Sequence, residues 1–211
     1  MKIVQDIPEI RNLYIMQKAN IDSFADCFAD GFCGYSLMNY FCDGECDKKK
    51  VGLIWEVPIR AYNGQLLGVA DGERINAAAL FAPPGAREPG LLTYIRAGGL
   101  KMVRKFGIKG TARMENFESF AGEIKKKYAS SDCWYLFGFV SRHESRGMGY
   151  GSAVLSPVLS YLDRTRQDCY LETLEQKNVA LYEHFGFELM ETAEFPNSGL
   201  TIYAMLRKSK K

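Results

Sequence analysis

The sequence is short of the residues and patterns that metal sites and membrane spans require. It holds only two histidines, and its six cysteines include no C-x-x-C pair, so no metal site is predicted. No uninterrupted apolar run approaches the roughly 18 residues that cross a bilayer. Lys2, Asp6, Glu9 and Arg11 interrupt the first residues, which argues against a signal peptide. These absences predict a cytoplasmic protein whose cysteines stay reduced.

An excess of one charge is also missing. The chain carries 27 Lys and Arg against 25 Asp and Glu, a formal net charge of +2. That balance predicts neither nucleic acid nor a membrane as the main partner. Repeats, low-complexity segments and long polar linkers are absent as well, so residues 1–211 are predicted to form one α/β domain.

The first half of the chain predicts a strand, three helices and a hairpin. Residues 13–16 are short and apolar, as in a strand. Three stretches with helical spacing follow; Asn20 or Asp22 is the expected cap of the first, and Pro58 is expected to break or bend the third. The Asp71-Gly72 pair then predicts a hairpin that joins residues 65–70 to residues 75–81.

Residues 91–128 predict two more helices, at 91–105 and 113–128. The second has one apolar stripe, which is typical of a core-facing helix and indicates no chemistry. The stripe consists of Met114, Phe117, Phe120, Ile124 and Tyr128.

The composition of residues 146–151 requires a chemical explanation. Arg146-Gly147-Met148-Gly149-Tyr150-Gly151 lies between an apolar strand at 135–140 and a helical pattern that begins near residue 153. Alternating glycines leave the backbone amides uncovered at a helix start, where the dipole is positive. Such amides suit a phosphate or pyrophosphate, and Arg146 adds a charged fork beside them.

Two common phosphate-binding patterns do not fit this turn. The P-loop pattern G-x-x-x-x-G-K-[ST] is absent. A dinucleotide-binding oxidoreductase is a less favoured alternative, because Glu172 ends the next strand where a ribose-binding acid would lie. However, Ser152 stands where the third glycine of that fingerprint belongs, and five polar residues separate the strand from the turn.

The second half of the chain resembles the GNAT superfamily of acetyl-CoA-dependent N-acetyltransferases. Arg146, Gly149 and Gly151 fill its [QR]-x-x-G-x-[GA] pattern, which follows a strand and precedes a helix. Downstream, Asn178 and Tyr182 lie in a segment similar to the family's N-x-x-x-Y-x-x-x-G-F pattern. Together these motifs cover residues 134–190, the expected cofactor-binding core.

The resemblance implies a mixed, mostly antiparallel sheet with helices on its faces and a splayed central pair of strands that admits acetyl-CoA. The backbone of Phe139, Val140 and Ser141 would pair with the pantetheine arm, and an N–H near Val140 or Ser141 would face the thioester oxygen. Asn178 would also bind the arm, although it equally suits a helix cap. The amides assigned to the pyrophosphate are those of Gly147, Met148, Gly149, Tyr150, Gly151 and Ser152.

The implied reaction is direct attack by a primary amine in a ternary complex. Tyr182 matches the tyrosine that protonates the leaving thiolate, and the alternative is an aromatic residue of the core. Glu172 is the first candidate for the general base. His143, Glu144 and Glu56 are weaker candidates.

Three departures from the family pattern concern the strand end and the next helix. His143 replaces a frequent proline, Ser141 replaces a valine-type residue, and Pro157 is expected to kink the helix after the turn. None of them removes the amide cradle.

The acceptor side is defined only by composition. Acidic Asp43, Glu45 and Asp47 either attract a cationic amine or form an ordinary solvated loop, and residues 91–128 exceed the minimal fold, as a lid or a partner surface would. A homodimer stays open, as does a non-catalytic CoA-binding module of the same fold. The aromatic residues of this side are Phe32, Tyr35, Tyr40, Phe41, Trp55 and Tyr62.

Overall fold

The computed structural model describes Ile7, Ile10 and residues 12–71 and 75–210. Most of the charged start of the chain and residues 72–74 of the predicted hairpin turn lie outside this part. Within it, no helix is long and apolar enough to span a membrane. The same residues contain no group of three or more His, Cys, Asp or Glu side chains that could hold a metal ion.

The described residues form seven strands and seven α-helices, in the order expected from the sequence. The strands are β1 (Leu13–Ile15), β2 (Leu67–Ala70), β3 (Ala77–Ala82), β4 (Trp134–Ser141), β5 (Cys169–Thr173), β6 (Glu188–Phe195) and β7 (Leu200–Arg207). The α-helices are α1 (Lys18–Gly31), α2 (Ser36–Cys42), α3 (Lys48–Ala61), α4 (Leu91–Tyr94), α5 (Leu100–Tyr128), α6 (Tyr150–Thr165) and α7 (Gln176–His184). A π-helical turn, Ile95–Gly99, joins α4 to α5, and a 3-10 turn, His143–Ser145, follows β4.

All seven strands belong to one sheet, in the order β1-β2-β3-β4-β5-β7-β6. The pair β4–β5 is parallel and the other neighbours are antiparallel. Parallel neighbours need a crossover connection, and α6 provides it. Helices pack on both faces, α6 and α7 on one and α1, α3 and α5 on the other. The predicted mixed, mostly antiparallel α/β fold is confirmed.

The central strands β4 and β5 separate soon after they meet. They pair only at Trp134 with Cys169 and at Tyr135 with Tyr170. One extra residue, Phe137, bulges from β4, because Leu136 and Gly138 face consecutive residues of β3. A bulge bends its strand and increases the local twist. From Leu136 onward, the β4 edge that faces β5 therefore has no strand partner, as the predicted splay requires.

The predicted cap of α1 and the predicted break at Pro58 are wrong, whereas a bend at Pro58 and a kink at Pro157 stay predictions. Helix α1 begins at Lys18 after Gln17, and the side chain of Asn20 accepts the Gln17 N–H at 2.9 Å, so neither Asn20 nor Asp22 is the cap. Helix α3 continues through Pro58 to Ala61. Burial of Val57 and Ile59 on either side stabilises this turn by tertiary packing, which outweighs the hydrogen bond that proline cannot donate. Helix α6 likewise runs on past Pro157.

One pair of cysteines also differs from expectation. Cys42 and Cys46 form a disulfide, so the prediction that all cysteines stay reduced is wrong for this pair. Asp43 and Gly44 have φ angles of 60° and 134°, and this tight turn at the end of α2 brings the two Cα atoms to 5.5 Å. Cys27, Cys33, Cys133 and Cys169 are free thiols.

Candidate active site

The three glycines of the 147–151 turn have separate physical reasons. Gly147 and Gly149 have φ angles of 78° and 83°, the left-handed region that other residues avoid, and a Cβ on either would meet no atom within 4 Å. Gly151 is needed for close approach, since a Cβ there would lie 2.9 Å from the ring of Phe139. The turn is therefore a fixed backbone shape beside open space.

The amides of this turn are available to a ligand. Gly149 caps α6 without a side-chain hydrogen bond, and the first bond of the helix runs from the Ala153 N–H to the Gly149 carbonyl at 3.1 Å. The N–H groups of Tyr150, Gly151 and Ser152 consequently precede the helical pattern, where N–H groups lack internal partners. Donors that converge at the positive end of a 16-residue helix suit an anionic group.

Arg146 has a different contact from the one expected of a phosphate ligand. Its Nη2 donates to the carbonyl oxygen of Gly31 at 2.9 Å, at the carboxyl end of α1. A cation is favourable at that end of a helix. Gly31 packs directly on β4, because a Cβ there would lie 2.8 Å from the Cβ of Val140. Arg146 thus ties the glycine turn to α1 and the end of β4.

Phe139, Val140 and Ser141 form the carboxyl end of β4, which leads toward the glycine turn. Along one edge they pair with Ala79, Ala78 and Ala77 of β3. Their other edge faces the gap left by β5. A ligand with its own amide groups can add to such an edge as an extra strand. The free stretch of six residues, from Leu136 near the point where the strands meet to Ser141, is about 20 Å long.

Tyr182 faces β4 across this gap. It is buried in α7, with its ring 6.4 Å from the ring of Phe139 and 5.8 Å from that of Phe187. Burial raises the pKa of its phenol, so the hydroxyl stays protonated at neutral pH. That hydroxyl forms no hydrogen bond to any residue in the described part of the chain. It is a free proton donor beside the gap.

Asn178 is not the cap of α7. Glu175 has that position, and Asn178 is the third residue of the helix, so the cap interpretation is wrong. Its Nδ2 donates to Thr173 Oγ1 at 3.2 Å, at the end of β5. The Tyr35 hydroxyl lies 3.3 Å from the same oxygen and accepts the Leu174 N–H at 2.9 Å. Asn178 of α7 therefore helps to fix the wall of the gap through Thr173 of β5, which Tyr35, the residue before α2, also contacts.

Glu172 lies on β5, on the opposite face of the sheet from Tyr182. It is half-buried between Tyr135 and Tyr170. Burial raises its pKa to about 7, although the Tyr135 hydroxyl and the Lys125 ammonium act in the opposite direction. A carboxyl group with a pKa near neutrality exchanges a proton readily at physiological pH, which suits a general base.

The other candidate bases are less well placed. Glu56 is 2.8 Å from Arg60 in an ion pair. His143 is exposed, and its backbone N–H donates to Asp30 at 3.1 Å. Glu144 lies in the same exposed 3-10 turn. Glu172 is the acid that stands next to the meeting point of β4 and β5.

The predicted aromatic acceptor side divides into two groups. The Trp55 ring lies 4.7 Å from Phe32 and 5.9 Å from Phe137 of β4, and its Nε1 is buried without a partner in the described structure. Tyr62 contacts Phe137 as well, at 5.4 Å. This group lies beside β4. In contrast, Tyr40 and Phe41 pack on β6 and α5 instead.

The acidic loop is largely structural. Asp43 binds Arg113 at 2.7 Å, and Asp47 caps α3 by accepting the Lys50 N–H at 2.8 Å. Their contacts support the interpretation as an ordinary solvated loop. Glu45 is exposed.

Residues of α5 near Glu172 were missed by sequence reasoning. The ammonium of Lys125 lies 4.6 Å from the centre of the Tyr135 ring and 3.0 Å from Glu88. Glu118, about two turns of α5 before Lys125, is accessible to solvent yet raises the pKa of Glu172. No local motif marks either residue, because a long helix places them against β4 and β5.

Sequence comparison finds the same family over part of the chain. The Acetyltransferase (GNAT) family model matches residues 99–187. An uncharacterised N-acetyltransferase of Schizosaccharomyces pombe is 26% identical over 173 residues, which are 79% of this chain and 67% of that protein. A probable serine/threonine-protein kinase of Dictyostelium discoideum is 26% identical over 149 residues, 69% of this chain. The chain spans only 16% of that second relative's length.

Structural comparison finds the same fold over nearly the whole chain. A histone acetyltransferase HPA2 and related acetyltransferase from Corynebacterium glutamicum has a TM-score of 0.63 at 18% identity, covering 95% of this chain and 97% of that one. A polyamine N-acetyltransferase of Drosophila melanogaster, which forms N-acetylagmatine, has a TM-score of 0.56 at 13% identity, with coverages of 93% and 98%.

Proposed function

The chain carries a domain of the GNAT acetyltransferase family, and we propose that it transfers acetyl from acetyl-CoA to the primary amine of a small cationic molecule. The acyltransferase class follows from the family. The donor, the acceptor class and the roles of individual residues are our proposal. One observation carries it: the free edge of β4 connects an uncovered amide cradle with Tyr182 and Glu172 on opposite faces of the same gap.

Binding of the donor uses backbone groups. The amides of the 147–152 turn hold the pyrophosphate, where the positive φ angles of Gly147 and Gly149 keep the surface open. The edge of Phe139, Val140 and Ser141 pairs with the amides of the pantetheine arm. An N–H of that edge faces the thioester oxygen and stabilises the negative charge that develops there. When bound, acetyl-CoA supplies the reactive thioester.

Glu172 takes the proton from the attacking amine, directly or through one water. An ammonium cannot attack until it loses a proton, and a carboxylate with a pKa of about 7 accepts one near neutral pH. The amine nitrogen then forms a bond to the thioester carbon, and the carbon–sulfur bond breaks. No acetyl group is attached to the protein at any stage of this direct transfer.

Tyr182 donates its proton to the departing thiolate. Its burial keeps the phenol protonated, and its hydroxyl has no competing partner in the described structure. Phe139 and Phe187 hold the ring in place. The acylated nitrogen loses its remaining extra proton to water, which gives an acetamide and free CoA. Water returns a proton to Tyr182 as Glu172 releases its own, so each acetylated ammonium releases one proton overall.

A small cationic amine suits the acceptor side. Trp55, Phe137 and Tyr62 offer aromatic faces, which attract cations, and Glu172 and Glu118 add negative charge. The Lys125 ammonium already lies over the Tyr135 ring at 4.6 Å, so a primary ammonium fits these surroundings. The Drosophila neighbour named for polyamines is consistent with this class.

The direct test measures thiol release from acetyl-CoA with a panel of amines. We expect turnover with diamines or agmatine-like amines well above that with neutral amines of equal length. We also expect acetyl-CoA and CoA, but not NAD, to raise the melting temperature, since a ligand that binds only the folded state stabilises it. Stabilisation by CoA without turnover on any amine would favour a non-catalytic module. Stabilisation by NAD alone would overturn the proposal.

A further inference from the structure

Large apolar side chains are concentrated on the outside of residues 91–109. Most other exposed large apolar residues of the described chain lie singly or in pairs, as is usual on a surface. The exposed fractions here are Leu91 77%, Leu92 70%, Ile95 39%, Leu100 68%, Val103 42% and Ile108 81%.

The same residues carry positive charge without any acid. The sequence LLTYIRAGGLKMVRKFGIK contains five cations and no Asp or Glu. All five side chains are exposed, and none forms an ion pair within the described structure. The net charge of +2 for the whole chain conceals this local excess. The five are Arg96, Lys101, Arg104, Lys105 and Lys109.

Packing of the inner side fixes this surface in place. Met102 is buried and Tyr94 and Phe106 are partly buried against α2, α3 and α5 residues. A Cβ on Gly98 would lie 3.3 Å from Val57 of α3. The apolar and cationic side chains are therefore on the outward side of a segment that is held to the domain. We call this outward side the basic apolar face.

A cavity adjoins the carboxyl end of the face. It measures about 420 Å³ and is lined by cations from two helices. Arg113 is paired with Asp43 on the rim, while the lysines have no ion-pair partner in the described residues. This volume accommodates a small anionic group such as a phosphodiester. The charged lining residues are Lys50, Lys105, Lys109, Arg113 and Asp43.

We propose that the basic apolar face docks on the surface of an anionic lipid bilayer, with a lipid headgroup phosphate in the adjoining cavity. Leucine and isoleucine side chains enter the boundary between headgroups and acyl chains. The lysine and arginine side chains reach the phosphates, because their long stems extend along the apolar surface. The face therefore offers both interactions that peripheral binding needs.

The shape of the face favours a bilayer over a folded partner. Positive φ angles at Gly98 (120°) and Gly107 (68°) divide the face into two short helical pieces and the start of a third, which continues to Tyr128. Such pieces present no straight ridge for the groove of a protein, whereas a fluid surface adapts to them. The exposed apolar residues are aliphatic, and single-stranded nucleic acids are bound by aromatic stacking. The sequence analysis predicts no membrane partner from the net charge of the whole chain, and that value does not reveal the local excess of cations on this face.

The test is sedimentation of the full chain with vesicles. One set contains phosphatidylcholine only, and the other contains about 30% phosphatidylserine. We expect roughly tenfold more binding to the anionic vesicles at 0.1 M salt and a clear decrease at 0.5 M salt, since salt screens surface charge. Equal binding to both sets, or none to either, overturns the proposal.

Two variants separate the apolar and the charged contributions. Leu91→Ser with Leu100→Ser, and independently Lys105→Glu with Lys109→Glu, should each lower binding to anionic vesicles by more than fivefold. The matched control, Leu189→Ser with Lys177→Glu, changes exposed residues elsewhere and should bind like the parent chain. Circular dichroism and melting temperature confirm that all three fold.

Self-association is the principal competing outcome. Light scattering over a range of concentrations shows whether the chain dimerises. A dimer that the Leu91→Ser, Leu100→Ser variant dissociates, together with unchanged vesicle binding by that variant, would assign the face to a second copy and overturn the bilayer proposal.

Discussion

The proposed donor side and the proposed acceptor side of the gap are built in different ways. The donor side, residues 134–188, presents backbone: amides of the glycine turn and the free edge of β4. The acceptor side presents side chains from separate elements, such as Trp55 of α3, Glu118 of α5 and Glu172 of β5. A backbone surface depends on a few glycines, whereas a side-chain surface depends on packing between distant segments. We therefore expect a single substitution in the glycine turn to cause a large loss of acetyl-CoA affinity, and a single substitution on the acceptor side to cause a smaller change in amine affinity.

The largest effect is expected from Gly149→Glu. The φ of 83° strains any L-residue, and the new carboxylate would lie where the pyrophosphate binds. We expect acetyl-CoA affinity, measured by calorimetry, to fall by at least a hundredfold. Gly199→Glu is the matched control, because Gly199 also has a positive φ, 70°, and open space around it. It should bind acetyl-CoA normally. Equal affinity in both variants would reject the amide cradle.

The second effect is that of Glu172→Gln on turnover. Loss of the general base should lower kcat by a factor of about 10² to 10⁴, with acetyl-CoA affinity unchanged. For the parent enzyme, kcat/KM should rise with pH, reach half its maximum near pH 7 and level off above it, because the base must be deprotonated. Glu188→Gln, an exposed carboxyl on β6, serves as the control. An unaltered pH profile in Glu172→Gln would transfer the role to another residue.

The stability of this variant should change in the opposite sense to its activity. Burial raises the pKa of Glu172 from 4.5 to about 7, so the folded chain keeps a proton that the unfolded chain loses between those values. The stability of the parent chain therefore decreases as pH rises from 4.5 to 7, by at most about 3 kcal/mol from this group. Glutamine is always neutral. Glu172→Gln should thus be more stable than the parent at pH 8 and equally stable at pH 4.

The two sides also differ in how much of them the sequence could predict. The strand, the glycine turn and the spacing of Asn178 and Tyr182 are local, so they were visible without a structure. The continuous helix at Pro58 was not, since tertiary burial decides it. The proximity of Glu118 to Glu172 was not visible either, because it depends on where the part of α5 that follows Gly107 crosses the sheet. The contact of Tyr35 with Thr173 joins residues 138 positions apart.

Tyr182→Phe should have a smaller effect than removal of the base. The substitution keeps the ring contacts with Phe139 and Phe187 and removes only the proton donor. We expect kcat to decrease by about 10- to 100-fold, because water can protonate the thiolate less efficiently. Acetyl-CoA affinity should stay within about twofold. Tyr161→Phe, which removes the hydroxyl of a core-packed ring beside Trp134, should leave kcat unchanged. Parallel decreases in the two variants would indicate packing rather than catalysis.

The smallest effect separates the two sides most clearly. Glu118 is accessible to solvent. Burial raises the pKa of Tyr94 to about 12 with smaller contributions from Glu118 and Glu88, and Glu118 also raises the pKa of Glu172. We therefore expect Glu118 to hold a second positive charge of the proposed acceptor. Glu118→Gln should raise the KM of a diamine about three- to tenfold and leave that of a monoamine and the affinity for acetyl-CoA unchanged, as expected for one solvent-accessible charge.

A control on the same helix determines whether this effect is specific. Glu123 pairs with Lys126 at 2.6 Å on the exposed side of α5, so Glu123→Gln changes the charge of the helix by the same amount away from Glu172. If both variants raise the KM of the diamine equally, the general field of the protein attracts the acceptor. If only Glu118→Gln does so, and only for the diamine, a defined carboxylate recognises the distal ammonium. In that case the acceptor side recognises the amine through individual side-chain charges, whereas the donor side recognises acetyl-CoA through the shape of its backbone.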